Sequence, residues 1–188
     1  MPKCPSTRAL CTGLVIFLIG GVSFGGLTAF FHYTNSTAFC TSCHSMSVNF
    51  TEYKQTAHYI NNSGVQAGCA DCHVPQAFAP MFVSKLFAVK DVFREITGSI
   101  DTPEKFEARR WLLANLVWEK MRTTDSRECR SCHEYESMDL KTQEKRTRNK
   151  HARAPKKGQT CIDCHSGIAH DEPLEPDEEE VVALKEEN

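Results

Sequence analysis

Cys40-Thr-Ser-Cys-His-Ser-Met46 sets two cysteines three apart with a histidine directly after the second. The same arrangement returns at Cys69-Ala-Asp-Cys-His73, Cys129-Arg-Ser-Cys-His133 and Cys161-Ile-Asp-Cys-His165. Thiols at this spacing add across the vinyl groups of a porphyrin, and the adjoining His44, His73, His133 or His165 is held where its imidazole meets the iron. The pattern is that of covalent c-type haem attachment. Zinc ribbons would need only the thiolates and leave the next residue free to vary. Histidine fills 8 of 188 positions, so its recurrence after all four pairs has a chance probability on the order of 10⁻⁶ from composition alone. Disulfides within the pairs would close very small loops. Cys40, Cys43, Cys69, Cys72, Cys129, Cys132, Cys161 and Cys164 are therefore expected to carry four haem c groups.

Working outward, Cys40 and Cys69 are 29 residues apart and Cys129 and Cys161 are 32 apart. Each interval holds one further histidine, His58 or His151, placed 11 or 10 residues before the second motif. This predicts a duplicated two-haem unit. A low-spin haem takes a ligand on each side of its ring, so His58 and His151, with His170 five residues beyond His165, are candidate distal ligands. Spacing does not say which serves which motif. His32, eight residues before Cys40, is expected to be an interfacial side chain.

Toward the amino terminus, Lys3 and Arg8 precede residues 9–31, a run of 23 positions without a charge. As a helix this spans roughly 34 Å, enough for a hydrocarbon core of about 30 Å. A cleaved signal peptide would have a shorter apolar region and a small-x-small site, which Thr28-Ala-Phe-Phe31 does not offer. Positive residues before the span put residues 1–8 in the cytoplasm and the haem domain, residues 32–170, in the periplasm of a bacterial inner membrane. Gly21-Val-Ser-Phe-Gly25 has the spacing that lets two such helices approach as a homodimer, and equally that of ordinary membrane-helix glycine. Cys4 and Cys11 stand outside any haem motif.

Between the two units, Phe78, Phe82, Leu86, Val89, Phe93 and Ile96 alternate at four and three residues, predicting an amphipathic helix whose apolar face packs on porphyrin. Asp101-Thr-Pro-Glu104 supplies a cap, an early proline and a first-turn acid for a second helix to about Arg122. The formal charge of −2 conceals an asymmetry: residues 171–188 hold nine acids against Lys185, leaving +6 on residues 1–170. Up to eight haem propionates absorb such an excess, so no nucleic-acid surface is inferred. Seven basic residues between Lys145 and Lys157 offer a solvated or propionate-pairing face, or a dock for an acidic redox partner. The acidic tail, 171–188, reads as disordered. The fold expected is thus mainly α: one transmembrane helix and a small multihaem domain whose cofactors supply much of the core.

His44-Ser-Met46, His58-Tyr-Ile-Asn-Asn-Ser-Gly64, Cys72-His-Val-Pro75, Asp101-Thr-Pro-Glu-Lys-Phe-Glu-Ala108 and Cys161-Ile-Asp-Cys-His-Ser-Gly-Ile-Ala-His170, with the single span, resemble the NapC/NirT family of tetrahaem quinol dehydrogenases over residues 9 to about 170. The resemblance implies oxidation of membrane quinol, menaquinol or ubiquinol, and delivery of electrons to a soluble periplasmic reductase. It is closest to the branch that serves the periplasmic nitrate reductase, the alternative being a nitrite or other terminal reductase. It also implies that Met46 replaces His44 on the first iron. Met46 lies two residues beyond His44 and so emerges on the same side of the ring. The family's carboxylate at the other face corresponds to Asp91, and its quinol-site lysine to Lys85. On an ideal helix these two point about 120° apart, flanking a pocket without sharing a stripe. The length sets the chain apart from pentahaem relatives with an added domain.

Two other function classes fit the residues. A passive membrane-tethered carrier needs the haems without a quinol pocket, and a haem-based sensor needs a signalling domain that the short amino-terminal segment does not supply.

Overall fold

The computed structural model describes residues 7–177 and 181, and every regular element among them is helical. Residues 1–6 and most of the acidic tail, for which disorder was expected, lie outside the described residues. Residues 171–177 have no regular secondary structure.

Helix α1, Thr7–Thr34, has 28 residues and is about 42 Å long, overrunning the uncharged stretch at both ends. The Thr28 and Thr34 hydroxyls donate within the helix to the carbonyls of Phe24 and Phe30. Large apolar residues along it, including Ile16, Phe17, Val22 and Phe24, are exposed, and it is long and apolar enough to cross a membrane. Phe31, in its last turn, is buried against Phe78 and Phe82.

Short helices then carry the haem motifs: α2 (Thr37–Cys40), α3 (Met46–Tyr53), α4 (Cys69–His73) and, later, α7 (Arg127–Arg130). Two longer helices lie between, α5 (Phe78–Ile96) and α6 (Pro103–Thr123), both where the spacing predicts them. Thr102 is the cap of α6, its hydroxyl accepting from Lys105 N at 3.3 Å with Pro103 in the first turn. The basic run forms α8 (Lys145–Arg153) and a following 3₁₀ turn.

The polypeptide buries few of its own apolar side chains. Phe106, Leu112 and Met121 of α6, with Ile100, Tyr53, Phe31, Ala154 and Ile162, are the buried hydrophobic residues among those described. The apolar residues of α5 face away from α6 and are exposed. The inner face of α5 is Met81, Ser84, Lys85 and Glu95, which meet α1, α6 and the first motif through polar contacts.

Candidate functional site

Each motif is closed by one hydrogen bond at the same place. The residue before the second cysteine ties back to the residue before the first. Ser42 and Ser131 donate to the carbonyls of Phe39 and Glu128, both at 2.7 Å. Asp71 and Asp163 instead accept from the amides of Gly68 (2.6 Å) and Thr160 (2.8 Å). A serine or an aspartate thus fixes the tight turn that holds two sulfurs and a histidine together, by opposite polarity of the same bond.

The motifs adjoin one another in chain order. The Cys40 and Cys69 side chains lie beside each other. Cys72, raised first by burial, is raised further by the nearby Cys132, and Cys129, also raised first by burial, by Cys161. α2 lies against α4, and α4 against α7. The turn between α6 and α7 is left-handed at two successive non-glycine residues, Asp125 (φ 54°) and Ser126 (φ 48°), a conformation that persists only where neighbours hold it. Here they do: the buried Ser126 accepts from Ile162 N at 3.2 Å, and Arg130 Nη2 donates to Asp125 Oδ1 at 3.0 Å. The third and fourth motifs are locked together by this contact.

The three spare histidines each face a motif histidine. Ring centroids are 6.1 Å apart for His58 and His133, 6.2 Å for His73 and His170, and 6.1 Å for His151 and His165. Two imidazole nitrogens, each about 2 Å from a shared metal, place their ring centres about 6 Å apart. The side chains therefore fit haem iron between them. Two of the pairs join residues of different sequence units, so the expected two-haem units are interlocked, with only His151 paired inside its own unit.

The surroundings of these rings suit ligation. His165 is held below its ordinary pKa by burial and by the charges of His151, His133 and Lys150. His170 is lowered by burial against the opposing pull of Glu52. A lowered pKa keeps the imidazole neutral and its lone pair available. His151 Nδ1 lies 2.8 Å from Gln143 Oε1, and donating there leaves Nε2 as the free nitrogen. The Tyr53 hydroxyl bonds the carbonyl of His58 at 3.0 Å and also that of Ala67. Behind His170, Glu52 Oε2 accepts from Arg110 and from Asp171 N at 3.1 Å, while Arg110 donates to Asp171 O at 3.0 Å.

The first motif differs. His44 is exposed, with Asp101 near it, whereas Met46 is half-buried. The buried Ser45 donates its hydroxyl to Glu95 Oε2 at 2.7 Å and its amide to Glu95 Oε1 at 3.4 Å. Lys85 is half-buried beside Cys40, its ammonium lowered by burial against the opposing pull of that thiol. It donates to Thr34 Oγ1 at 2.8 Å and lies 5.9 Å from the Phe31 ring. The structure thus brings Lys85 to the junction of α1 and the first motif. Asp91 and His32 are exposed. Glu52, Arg110, Gln143, Glu95 and Ser126 carried no signal in the sequence, since each acts through a partner remote in the chain or through backbone.

The model of the NapC/NirT cytochrome c family, N-terminal region, matches residues 4–175. A putative tetraheme cytochrome of Allochromatium vinosum is 57% identical over 166 residues, 88% of this chain and 90% of the relative. The NapC protein of Escherichia coli K12 is 46% identical over 170 residues, 89% of this chain and 85% of the relative. The denitrification system component NirT of Stutzerimonas stutzeri is 47% identical over 169 residues, covering 88% and 84%. No solved structure matches the chain.

Proposed function

The chain belongs to the NapC/NirT cytochrome c family, and from that premise we propose that it oxidises membrane quinol at the periplasmic face and passes the electrons to a periplasmic reductase, the periplasmic nitrate reductase foremost. α1 anchors it in the inner membrane with residues 1–8 cytoplasmic and 32–170 periplasmic. When bound, the four haems supply one-electron carriers in series.

The observation that carries the reading is the set of three histidine pairs at 6.1–6.2 Å on motifs that adjoin in chain order. His133 with His58, His73 with His170 and His165 with His151 would hold the irons of the haems at the third, second and fourth motifs. Met46 would take the place of His44 at the first, the motif whose histidine faces no second histidine among the described residues.

The first motif is also the one nearest the membrane helix, through Lys85 and Thr34. Lys85 orients the quinol by donating a hydrogen bond from the junction of α1 and α5. Asp91, exposed one and two-thirds turns further along α5, takes up a quinol proton and releases it to the periplasm. Electrons leave at the far end, beside α8 and the 3₁₀ turn after it, where seven Lys and Arg side chains together suit an acidic docking surface.

Purified, oxidised protein tests this against a passive carrier. Added quinol reduces the haem α-band and a quinol-site inhibitor blocks it, while a carrier without a pocket is indifferent to the inhibitor. Co-purification from native membranes identifies the reductase.

A further inference from the structure

The apolar stripe of α5 has no role in the haem motifs, and its direction is settled by what the opposite face touches. Ser84 lies 3.5 Å from Lys120 Nζ of α6, and Glu95 holds Ser45 of the first motif. On an ideal helix these two residues point within about 20° of each other, whereas Leu86 and Phe93 point about 160° and 180° from Ser84. The cysteines that would hold the first haem are therefore across the helix from the stripe. Phe82, Leu86, Val89, Phe93 and Ile96 are 41–78% exposed along it, a patch that a soluble surface rarely carries without an occupant.

Its position identifies the occupant. The stripe begins where the lipid-facing surface of α1 ends: Phe31 packs on Phe78 and Phe82 with ring centroids 5.8 and 6.2 Å apart. α5 holds Lys85, Lys90, Asp91, Arg94 and Glu95, too many charges for a span but the composition of a helix lying in an interface. Lys90 borders the stripe about 40° from Leu86, where its stem can lie along lipid and its ammonium reach headgroups.

We propose that α5 is a second membrane contact, an interfacial helix in the periplasmic leaflet with Phe82, Leu86, Val89, Phe93 and Ile96 at the acyl boundary and Lys90 among the headgroups. This rests on the anchoring role given to α1. It sets Lys85 and the first motif at headgroup depth, so a quinol ring reaches them without leaving the bilayer, and it fixes the tilt of the haem domain, which a single helix would leave free.

The test uses full-length, haem-loaded protein in nanodiscs whose lipid carries a photoreactive diazirine on the acyl chain, with adducts mapped by peptide mass spectrometry. Adducts are expected on α1 and on residues 82–96. Leu86→Glu with Phe93→Glu lowers the α5 adducts about tenfold, as removing two large apolar side chains from lipid requires, and leaves α1 adducts and haem absorbance unchanged. Adducts confined to α1, with residues 82–96 unlabelled, overturn the proposal. Adducts on neither helix would instead remove the anchor itself. Wild-type labelling decides the matter should the double variant fail to assemble.

Discussion

Replacing Arg110 by alanine asks how the last histidine is held. The peptide after His170 is fixed at both its polar groups, the amide by Glu52 and the carbonyl by Arg110. The ion pair that joins these two residues is only 12% and 14% exposed. A charge-assisted hydrogen bond contributes about 1.5–3 kcal/mol, and removing one partner strands the other. Glu52 keeps the Asp171 amide, so the loss on Arg110→Ala is about 2–3 kcal/mol. At about 1.4 kcal/mol per tenfold, the ratio of held to released His170 falls roughly 30- to 150-fold. The oxidised protein then gains a high-spin signal by electron paramagnetic resonance, from the haem at Cys69 and Cys72.

The pH dependence has a definite sign. Burial pushes the Glu52 carboxyl up, but the Arg110 hydrogen bond and the Asp171 amide outweigh it and hold it below its ordinary value. A depressed carboxyl contributes fully above its unfolded pKa and is lost as pH falls through the folded one. Without Arg110 burial is less opposed, so the high-spin fraction of the variant grows at a higher pH than any seen in the wild type. Lys105→Ala, which breaks an exposed pair with Asp101, leaves the spectrum unchanged. An Arg110→Ala spectrum identical to wild type from about pH 8 to about pH 5 refutes the reasoning.

Three further outcomes are expected. His58→Ala and His133→Ala act on one haem, so the double variant loses one low-spin haem in the resonance spectrum; two lost would break the pairing. His151→Ala gives one high-spin haem, and Gln143→Leu weakens the same ligand without removing it, visible as a smaller fraction of the same signal. Glu95→Ala leaves the Ser45 amide and hydroxyl unsatisfied, a cost of about 1–3 kcal/mol. In a redox titration it displaces the potential of the first haem and leaves the other three in place.

The sequence was most legible where chemistry demands contiguous residues. The four motifs, the uncharged span and the boundaries of α5 all follow from spacing, because covalent geometry, bilayer thickness and helix period act locally. The partners of the spare histidines did not follow, because the chain crosses between units before His58 meets His133 and before His170 meets His73. The repeat set His58 and His151 at equivalent places in sequence without fixing their partners, and only His151 faces a histidine of its own unit. Periodicity found the apolar stripe of α5 but not its direction, since a helical pattern says which residues share a face and nothing of what that face meets. The direction came from Ser84 and Glu95, whose partners lie 36 and 50 residues away. Glu52 and Arg110 were illegible for the same reason, being 58 residues apart.

The central claim is that quinol, held beside the first motif, fills a chain of four haems, and stoichiometry tests it most directly. Full-length protein in vesicles, oxidised and titrated anaerobically with quinol, should become fully reduced at two quinols per protein, as four one-electron carriers require. Lys85→Ala should slow that reduction severely while dithionite still reduces all four haems. A wild type that only dithionite reduces, or a Lys85→Ala variant filled by quinol at the wild-type rate, contradicts the account.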